Sequence, residues 1–174
     1  PAGTTVKATA DGSITIEGFD ATQSRDLMTA SVSAINYATV DDIKAVGFTF
    51  SHLLARVAFV GNLDAQSVAY VPNMSATIHE AKLYGMSKTG TYVSTDGEAK
   101  WTQVEATTEG APFASNTSVI SLTKEGVSVF SDLLLIPETV GQGFCIYVKY
   151  SVNDGGEREQ VIQLNSLVGT FEAG

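Results

Sequence analysis

The sequence predicts an all-β protein, a β-sandwich of two packed, mostly antiparallel sheets. Short segments alternate apolar and polar residues with the period of a half-buried strand, and Gly, Asn and Asp mark turns between them. Helical periodicity is scarce by comparison. The pattern amounts to roughly nine to eleven strands, which is too many for one small open sheet. Two packed sheets give every alternating strand an inner face to bury.

The first half of the chain contains four predicted strands. They cover residues 13–17, 27–35, 46–50 and 57–59. In the third of these, Val46, Phe48 and Phe50 share one face. Residues 53–54 fit either a bend or a short helical turn, and the pattern leaves both open. Residues 63–73 have little periodicity and are predicted to be a connection.

The second half of the chain has the clearer strand signals. They cover residues 77–84, 91–93, 100–104, 118–122, 133–136, 144–152 and 159–164. Asp96–Gly97 indicates a hairpin turn, and Asn153–Gly156 indicates the turn before the last strand. Residues 133–136 form a continuous apolar run, as expected for a strand buried on both faces, and Pro137 ends it. Residues 105–116 are predicted to be a loop.

Length and composition indicate a single domain spanning residues 1–174, in which residues 1–25 form an extended lead-in. With 44% hydrophobic residues, the chain can bury a core that needs no disulfide bonds or metal ions to hold it together. Its formal net charge of −9 argues against a nucleic-acid partner and against binding anionic lipid through basic clusters. No apolar run approaches the ~20 residues of a membrane helix. Membrane attachment would therefore need a lipid anchor that this chain does not contain.

The residue types that carry chemistry are few and scattered, so we predict no enzyme, no metal site and no cofactor. His52 and His79 lack the spacing of metal ligands and are expected to be structural or surface residues. Asp41–Asp42 lies where a turn is expected, and Glu157 and Glu159 lie on the solvent face of a strand. A glycoside hydrolase needs two carboxylates that face one cleft. A hydrolase domain using such a pair therefore ranks last among the alternatives.

Trp101 is the only tryptophan, and it has two interpretations. As a stacking platform exposed together with some of Tyr70, Tyr84, Tyr92 and Tyr147, Tyr92 in particular, it would make the protein a non-catalytic carbohydrate-binding surface lipoprotein module. As a packing residue, it would fill the sandwich or cover a sheet edge. The sequence favours packing, and the solvent exposure of the indole separates the two interpretations.

Five motifs follow one another along residues 26–174. They are Asp26-Leu27-Met28, then Phe48-x-Phe50-x-His52-x-Leu54-Ala55-Arg56-Val57-x-Phe59, then Leu83 with Gly90-Thr91-Tyr92 and Trp101, then Leu133-Leu134-Leu135-Ile136-Pro137, and finally Ile146-x-Val148-x-Tyr150. In order and spacing they resemble the fimbrillin-like proteins of Bacteroidetes. One position departs from that pattern, because Glu138 stands where the family usually has glutamine.

The resemblance implies a transthyretin-like β-sandwich that serves as a fimbrial (pilus) subunit or adhesin. Such proteins are typically exported lipoproteins of the outer membrane and cell surface. They polymerise with other fimbrial subunits by β-strand donation, in which an extended segment of one subunit completes the sheet of the next. A host or bacterial surface glycan or protein would be a further partner in cell adhesion. In the family a protease trims an early segment after a basic residue, and the resemblance points to Arg25.

The end of the chain departs from the family pattern. The family usually continues into a further strand from an element at the position of residues 171–174, so the resemblance implies a strand or second domain beyond residue 174. A sheet that lacks such a strand exposes an edge with which another strand can pair. We therefore expect an open sheet edge or groove lined by apolar side chains.

Overall fold

A computed structural model shows that the regular structure of the described residues is almost entirely β-strand. It describes residues 3–31, 46–71, 73–95, 98–106, 110–153, 155–164 and 169–174. The strands in this part of the chain are β1 (Thr5–Ala8), β2 (Ile14–Asp20), β3 (Met28–Ser31), β4 (Thr49–His52), β5 (Ala55–Gly61), β6 (Ala76–Tyr84), β7 (Ser87–Thr95), β8 (Glu98–Ala106), β9 (Ala114–Asn116), β10 (Ile120–Ser121), β11 (Val127–Leu135), β12 (Cys145–Val152) and β13 (Arg158–Gln163). A short 3-10 turn at Ala21–Gln23 and a helix α1 (Ala65–Tyr70) lie between them.

The strands pair in antiparallel sheets that pack as a sandwich, which confirms the predicted fold class. The first sheet has the order β1–β2–β7–β8, and the second has the order β10–β6–β12–β13 with β9 also paired to β6. Two further pairs join β5 to β11 and β3 to β4. The predicted turn Asp96–Gly97 lies outside the described residues, but β7 and β8 on either side of it pair as predicted. The predicted turn before β13 is described except for residue 154.

The core forms where the inner faces of the sheets meet. Its fully buried large side chains are Leu54, Leu83, Met86, Leu135, Ile136 and Phe144. Along β6 the buried residues are Ala76, Ile78, Ala81 and Leu83, so the alternation is interrupted once. A register shift in the β6–β12 ladder accommodates the extra residue, as a β-bulge does. Strand alternation therefore defines the inner face of the second sheet.

The structure departs from the predicted elements where the alternation is weak. Residues 53–54 form a bend with both side chains buried, and not a helical turn. Helix α1 lies within the predicted connection 63–73, and the Asp64 carboxylate caps it by accepting the backbone N–H of Ser67 at 2.8 Å. Strand β9 lies within the predicted loop 105–116 because it adds to the edge of β6.

Within the predicted lead-in, residues 3–25 form more than an extended segment. β1 and β2 make a hairpin, and β2 lies between β1 and β7 inside the first sheet. All of β1 is exposed, whereas Ile16 and Phe19 of β2 and the following Ala21 are buried. The start of the chain therefore supplies part of the core through β2, while β1 only covers the edge of that strand.

The strand β4 does not carry its alternating face into the core. Val46 and Phe48, which precede β4, and Phe50 within it remain 38%, 57% and 60% exposed. β4 pairs with β3 in a two-stranded ribbon. The predicted strand 27–35 corresponds to β3, and its part beyond Ser31 lies outside the described residues. The apolar pattern of residues 46–50 therefore marks a surface.

Candidate assembly site

An apolar groove opens between β5 and the inner face of the second sheet. It encloses about 360 Å³. Its floor includes Ile146 and Val148 of β12 and Ile162 of β13, and its wall includes Phe59 of β5. Ile146 stands opposite Ile162 in the β12–β13 ladder, so both side chains point to the same face of the sheet. This is the kind of groove that the resemblance led us to expect.

Two strands border this groove with one edge unpaired in the described part of the chain. β5 pairs only with β11 there, and β13 pairs only with β12. Ile162 on β13 is 40% exposed although its side chain lines the groove. The backbone N–H of Gly174 donates to the carbonyl of Leu54 at 3.4 Å, just before β5 begins. Unpaired backbone beside an apolar floor is a surface that can accept another strand.

A second strand position, beside β7, is filled by β2. Phe19 is 2% exposed and stands opposite Gly90 of β7. Its ring centroid lies 5.6 Å from that of Trp101 on β8. The hairpin of β1 and β2 therefore fills a position in the first sheet that would otherwise leave β7 unpaired on that side.

Arg25 lies in an exposed segment without regular structure between the 3-10 turn and β3. On its N-terminal side, Ser24 ends the turn in the left-handed region at φ 50°. On its C-terminal side, Asp26 Oδ2 lies 2.6 Å from His52 Nδ1, and the Leu27 carbonyl accepts the backbone N–H of Leu53 at 2.8 Å. Contacts thus hold the chain on both sides of the exposed Arg25.

A hollow of about 550 Å³ lies next to this segment. Its walls carry two ion pairs, Asp26 with His52 and Arg56 with Asp132. All four side chains are at least one-third exposed, so each pair contributes little to stability. Each of these charges therefore has an opposite charge beside it.

Trp101 and Tyr92 are brought together, but inside the sandwich. Their ring centroids are 5.6 Å apart, and Tyr92 is only 4% exposed. The indole N–H of Trp101 donates to the Leu53 carbonyl at 3.0 Å, which satisfies its polar atom as a packed tryptophan requires. The two rings therefore do not form an exposed platform on which a sugar could stack, and the packing interpretation describes their arrangement.

His79 and Glu157 have partners in the structure. His79 Nε2 lies 2.9 Å from the Ser151 hydroxyl. A hydrogen bond from Lys149, at 2.5 Å, holds the pKa of Glu157 below its ordinary value. Burial raises the pKa of the Cys145 thiol, which disfavours the reactive thiolate. Asp41–Asp42 lies outside the described residues.

Within the residues that the structure describes, no group of three or more His, Cys, Asp or Glu side chains is arranged to hold a metal ion. None of the described helices is long and apolar enough to cross a bilayer.

Sequence reasoning anticipated an apolar groove but not its residues, and it missed the position beside β7. The predicted first strand stopped at residue 17, so Phe19 was not recognised as a core residue. Its signal was present, because an aromatic residue directly after a glycine continues the alternation if a bulge is allowed.

An all-β sandwich with an apolar groove and unpaired bordering strands defines a structural module suited to assembly. Compared with known protein families, residues 1–167 match the family described as fimbrillin-like. The chain belongs to the fimbrillin-like family, and the resemblance drawn from its motifs is confirmed. Membership makes it a structural protein of the cell surface, of the kind that builds fimbriae. Searches of curated proteins and of solved structures find no match.

Proposed function

We propose that the protein is a fimbrial subunit, displayed at the outer membrane and cell surface, that polymerises with other fimbrial subunits by β-strand donation and mediates cell adhesion. The observation that carries this proposal is the apolar groove beside β5. Family membership supports the structural role. The burial of Tyr92 speaks against the alternative of a carbohydrate-binding platform at Trp101.

A strand laid along β5 would gain both backbone hydrogen bonds and apolar burial. β5 offers seven residues, and its backbone is paired on one side only in the described part of the chain. Alternate side chains of the incoming strand would point onto the floor formed by Ile146, Val148 and Ile162. Each Å² of apolar surface removed from water would stabilise the bound strand by roughly 25 cal/mol. The donor is therefore an extended segment with apolar residues at every second position.

Maturation by cleavage after Arg25 is the second part of the proposal. The exposure of Arg25 in a segment without regular structure supports it. Such a cut separates the hairpin of β1 and β2 from the rest of the chain. Release of the hairpin leaves β7 with one unpaired edge, where β2 lay before. Trimming would therefore expose a position in the first sheet that another strand can fill.

The proposal is tested by placing a charge on the groove floor. Ile162→Arg puts a guanidinium where the donor side chains would pack, and burying an unpaired charge there costs several kcal/mol. Val161→Arg is the matched control, because Val161 is also exposed but stands opposite Tyr147, on the other face of β13. Electron microscopy of cells and fractionation of their surface proteins give the readout.

We expect Ile162→Arg cells to lack fimbriae containing this subunit, while Val161→Arg cells assemble them normally. Thermal unfolding of both purified variants shows that each is folded, since both residues are edge positions. Normal incorporation of a folded Ile162→Arg subunit into fimbriae would rule out this groove as the acceptor.

A further inference from the structure

We infer that Gly90, Trp101 and Ile136 form an aromatic socket, which we call the Gly90 socket, and that it sets the register of whichever strand lies beside β7. In an assembled subunit, this strand would be an extended segment of a neighbouring subunit that carries an aromatic residue opposite Gly90. The inference rests on the proposed trimming after Arg25, which vacates the position. To that proposal it adds that the incoming segment carries an aromatic residue and that the Gly90 socket aligns this residue.

β7 lies between β2 and β8, and the socket exists because Gly90 of β7 has no side chain. Phe19 on β2 and Trp101 on β8 flank β7 from opposite sides, and their rings meet with centroids 5.6 Å apart. Gly90 stands opposite Phe19 in the β2–β7 ladder. A Cβ at Gly90 would lie 3.0 Å from Trp101 Cε3 and 3.1 Å from Ile136 Cδ1. Because Gly90 has no side chain, the Trp101 indole can lie over β7, and the Phe19 ring packs against it.

The present occupant of the socket, β2, departs from regular register next to it. Ile16 and Phe19 are both buried although they are three residues apart. A register shift between them restores the inward direction, and Gly18 adopts φ +64° within it. β2 thus departs from regular alternation in a way that places its aromatic ring in the socket. A slip by one residue would turn that ring to the opposite face of the sheet.

The test is a competition between peptides on the full chain. A specific protease site introduced between Arg25 and Asp26 allows residues 1–25 to be cut but left bound. Three peptides spanning residues 12–23 then compete for the position: the native sequence, Phe19→Ala, and a double exchange of Gly18→Phe with Phe19→Gly. The double exchange keeps the amino-acid composition of the peptide and moves its aromatic ring by one residue. Release of the cut segment is measured by mass, and Trp101, the sole tryptophan, reports filling of the socket by its fluorescence.

We expect the native peptide to displace the cut segment, and both altered peptides to compete more than about 100-fold less well, the factor that corresponds to truncating a buried Phe. Equal competition by all three would overturn the socket. Hydrogen exchange on the uncut chain is a second readout and decides the matter if no peptide exchanges. There Phe19→Ala should remove the protection of the β2 amides, and unchanged protection would overturn the inference.

These outcomes are separate from those of the proposed function. If cells leave residues 1–25 attached, natural trimming fails as a proposal. The ranking of the peptides still tests the socket in that case, because the cut is introduced and does not depend on a cellular protease.

Discussion

At the scale of single residues, adding a side chain at Gly90 should lower the free energy of unfolding by a measurable amount. Gly90→Ala introduces a Cβ 3.0 Å from Trp101 and 3.1 Å from Ile136, closer than ordinary packing allows. Overpacking a filled core costs about 1–3 kcal/mol, so we expect a loss of that size in the free energy of unfolding. Urea denaturation followed by Trp101 fluorescence measures it.

Gly141→Ala is the control, since a Cβ at Gly141 meets nothing within 4 Å. We expect it to be neutral or slightly stabilising. A Gly90→Ala variant as stable as the Gly141→Ala variant would mean that the indole can move away freely, and the packing described for this position would be wrong.

Asp20 makes stability depend on pH at the end of β2. Burial raises the pKa of its carboxyl, but hydrogen bonds from the Thr22 hydroxyl at 2.6 Å and backbone N–H at 3.0 Å outweigh this. The net pKa lies below the ordinary 3.8. A carboxyl whose pKa is lowered by folding stabilises the protein above its unfolded pKa, and this contribution is lost as the pH falls through the folded pKa.

We therefore expect Asp20→Ala to cost about 1 kcal/mol at neutral pH, as the loss of a capping residue does. The difference in Tm between the variant and the wild type should shrink in acid, because the wild type then loses the same interaction. Thermal unfolding of both proteins across the acidic range measures this, and a difference that stays constant with pH would contradict the assignment.

At the scale of elements, the hairpin of β1 and β2 is the unit that trimming would release. Arg25→Gln should leave residues 1–25 covalently attached in cells and reduce assembled fimbriae severalfold. Lys7→Gln is the control, because Lys7 is an exposed basic residue of the same segment and pairs with the exposed Glu17. Mass spectrometry of surface protein identifies the new N-terminus, expected at Asp26. A wild-type subunit that keeps its first 25 residues within fimbriae would contradict the proposal.

The strands that sequence could predict are those in which alternation and core placement agree. β12 and β13 were located to within one residue, because Ile146 and its alternating neighbours all face the core layer. The start of β11, six residues before the predicted run at Leu133, was missed because two register shifts interrupt its ladder. Period-based reasoning fails at such irregularities, since each bulge reverses the face of every later side chain.

The candidate site was predictable in kind but not in position, for a related reason. An unpaired edge is a property of which strands are neighbours, and neighbours along a sheet are often distant in sequence. The groove joins Phe59 to Ile162, which lie on strands in different sheets. The residue pattern of a strand does not show which strands become its neighbours in the fold. Similarly, the roles of Gly90 and Phe19 depend on Trp101, which reaches them across β7.

At the scale of the whole molecule, net charge and assembly act against each other. Each subunit carries a formal charge of −9, so copies approaching in solution repel one another. The proposed groove, by contrast, gains its affinity from apolar contact and backbone hydrogen bonds. Raising the salt concentration from about 0.01 M to about 0.15 M shortens the Debye length from about 30 Å to about 8 Å. This screens the repulsion while leaving the groove contacts largely intact.

We therefore expect the trimmed subunit to polymerise severalfold faster at the higher salt concentration, measured by light scattering at constant protein concentration. Ile162→Arg serves as the control, because it should not polymerise at either concentration and so separates assembly from salting-out. If the growth of filaments slows as salt is added, attraction between charged patches drives association. The apolar groove beside β5 would then not be the main source of affinity between subunits.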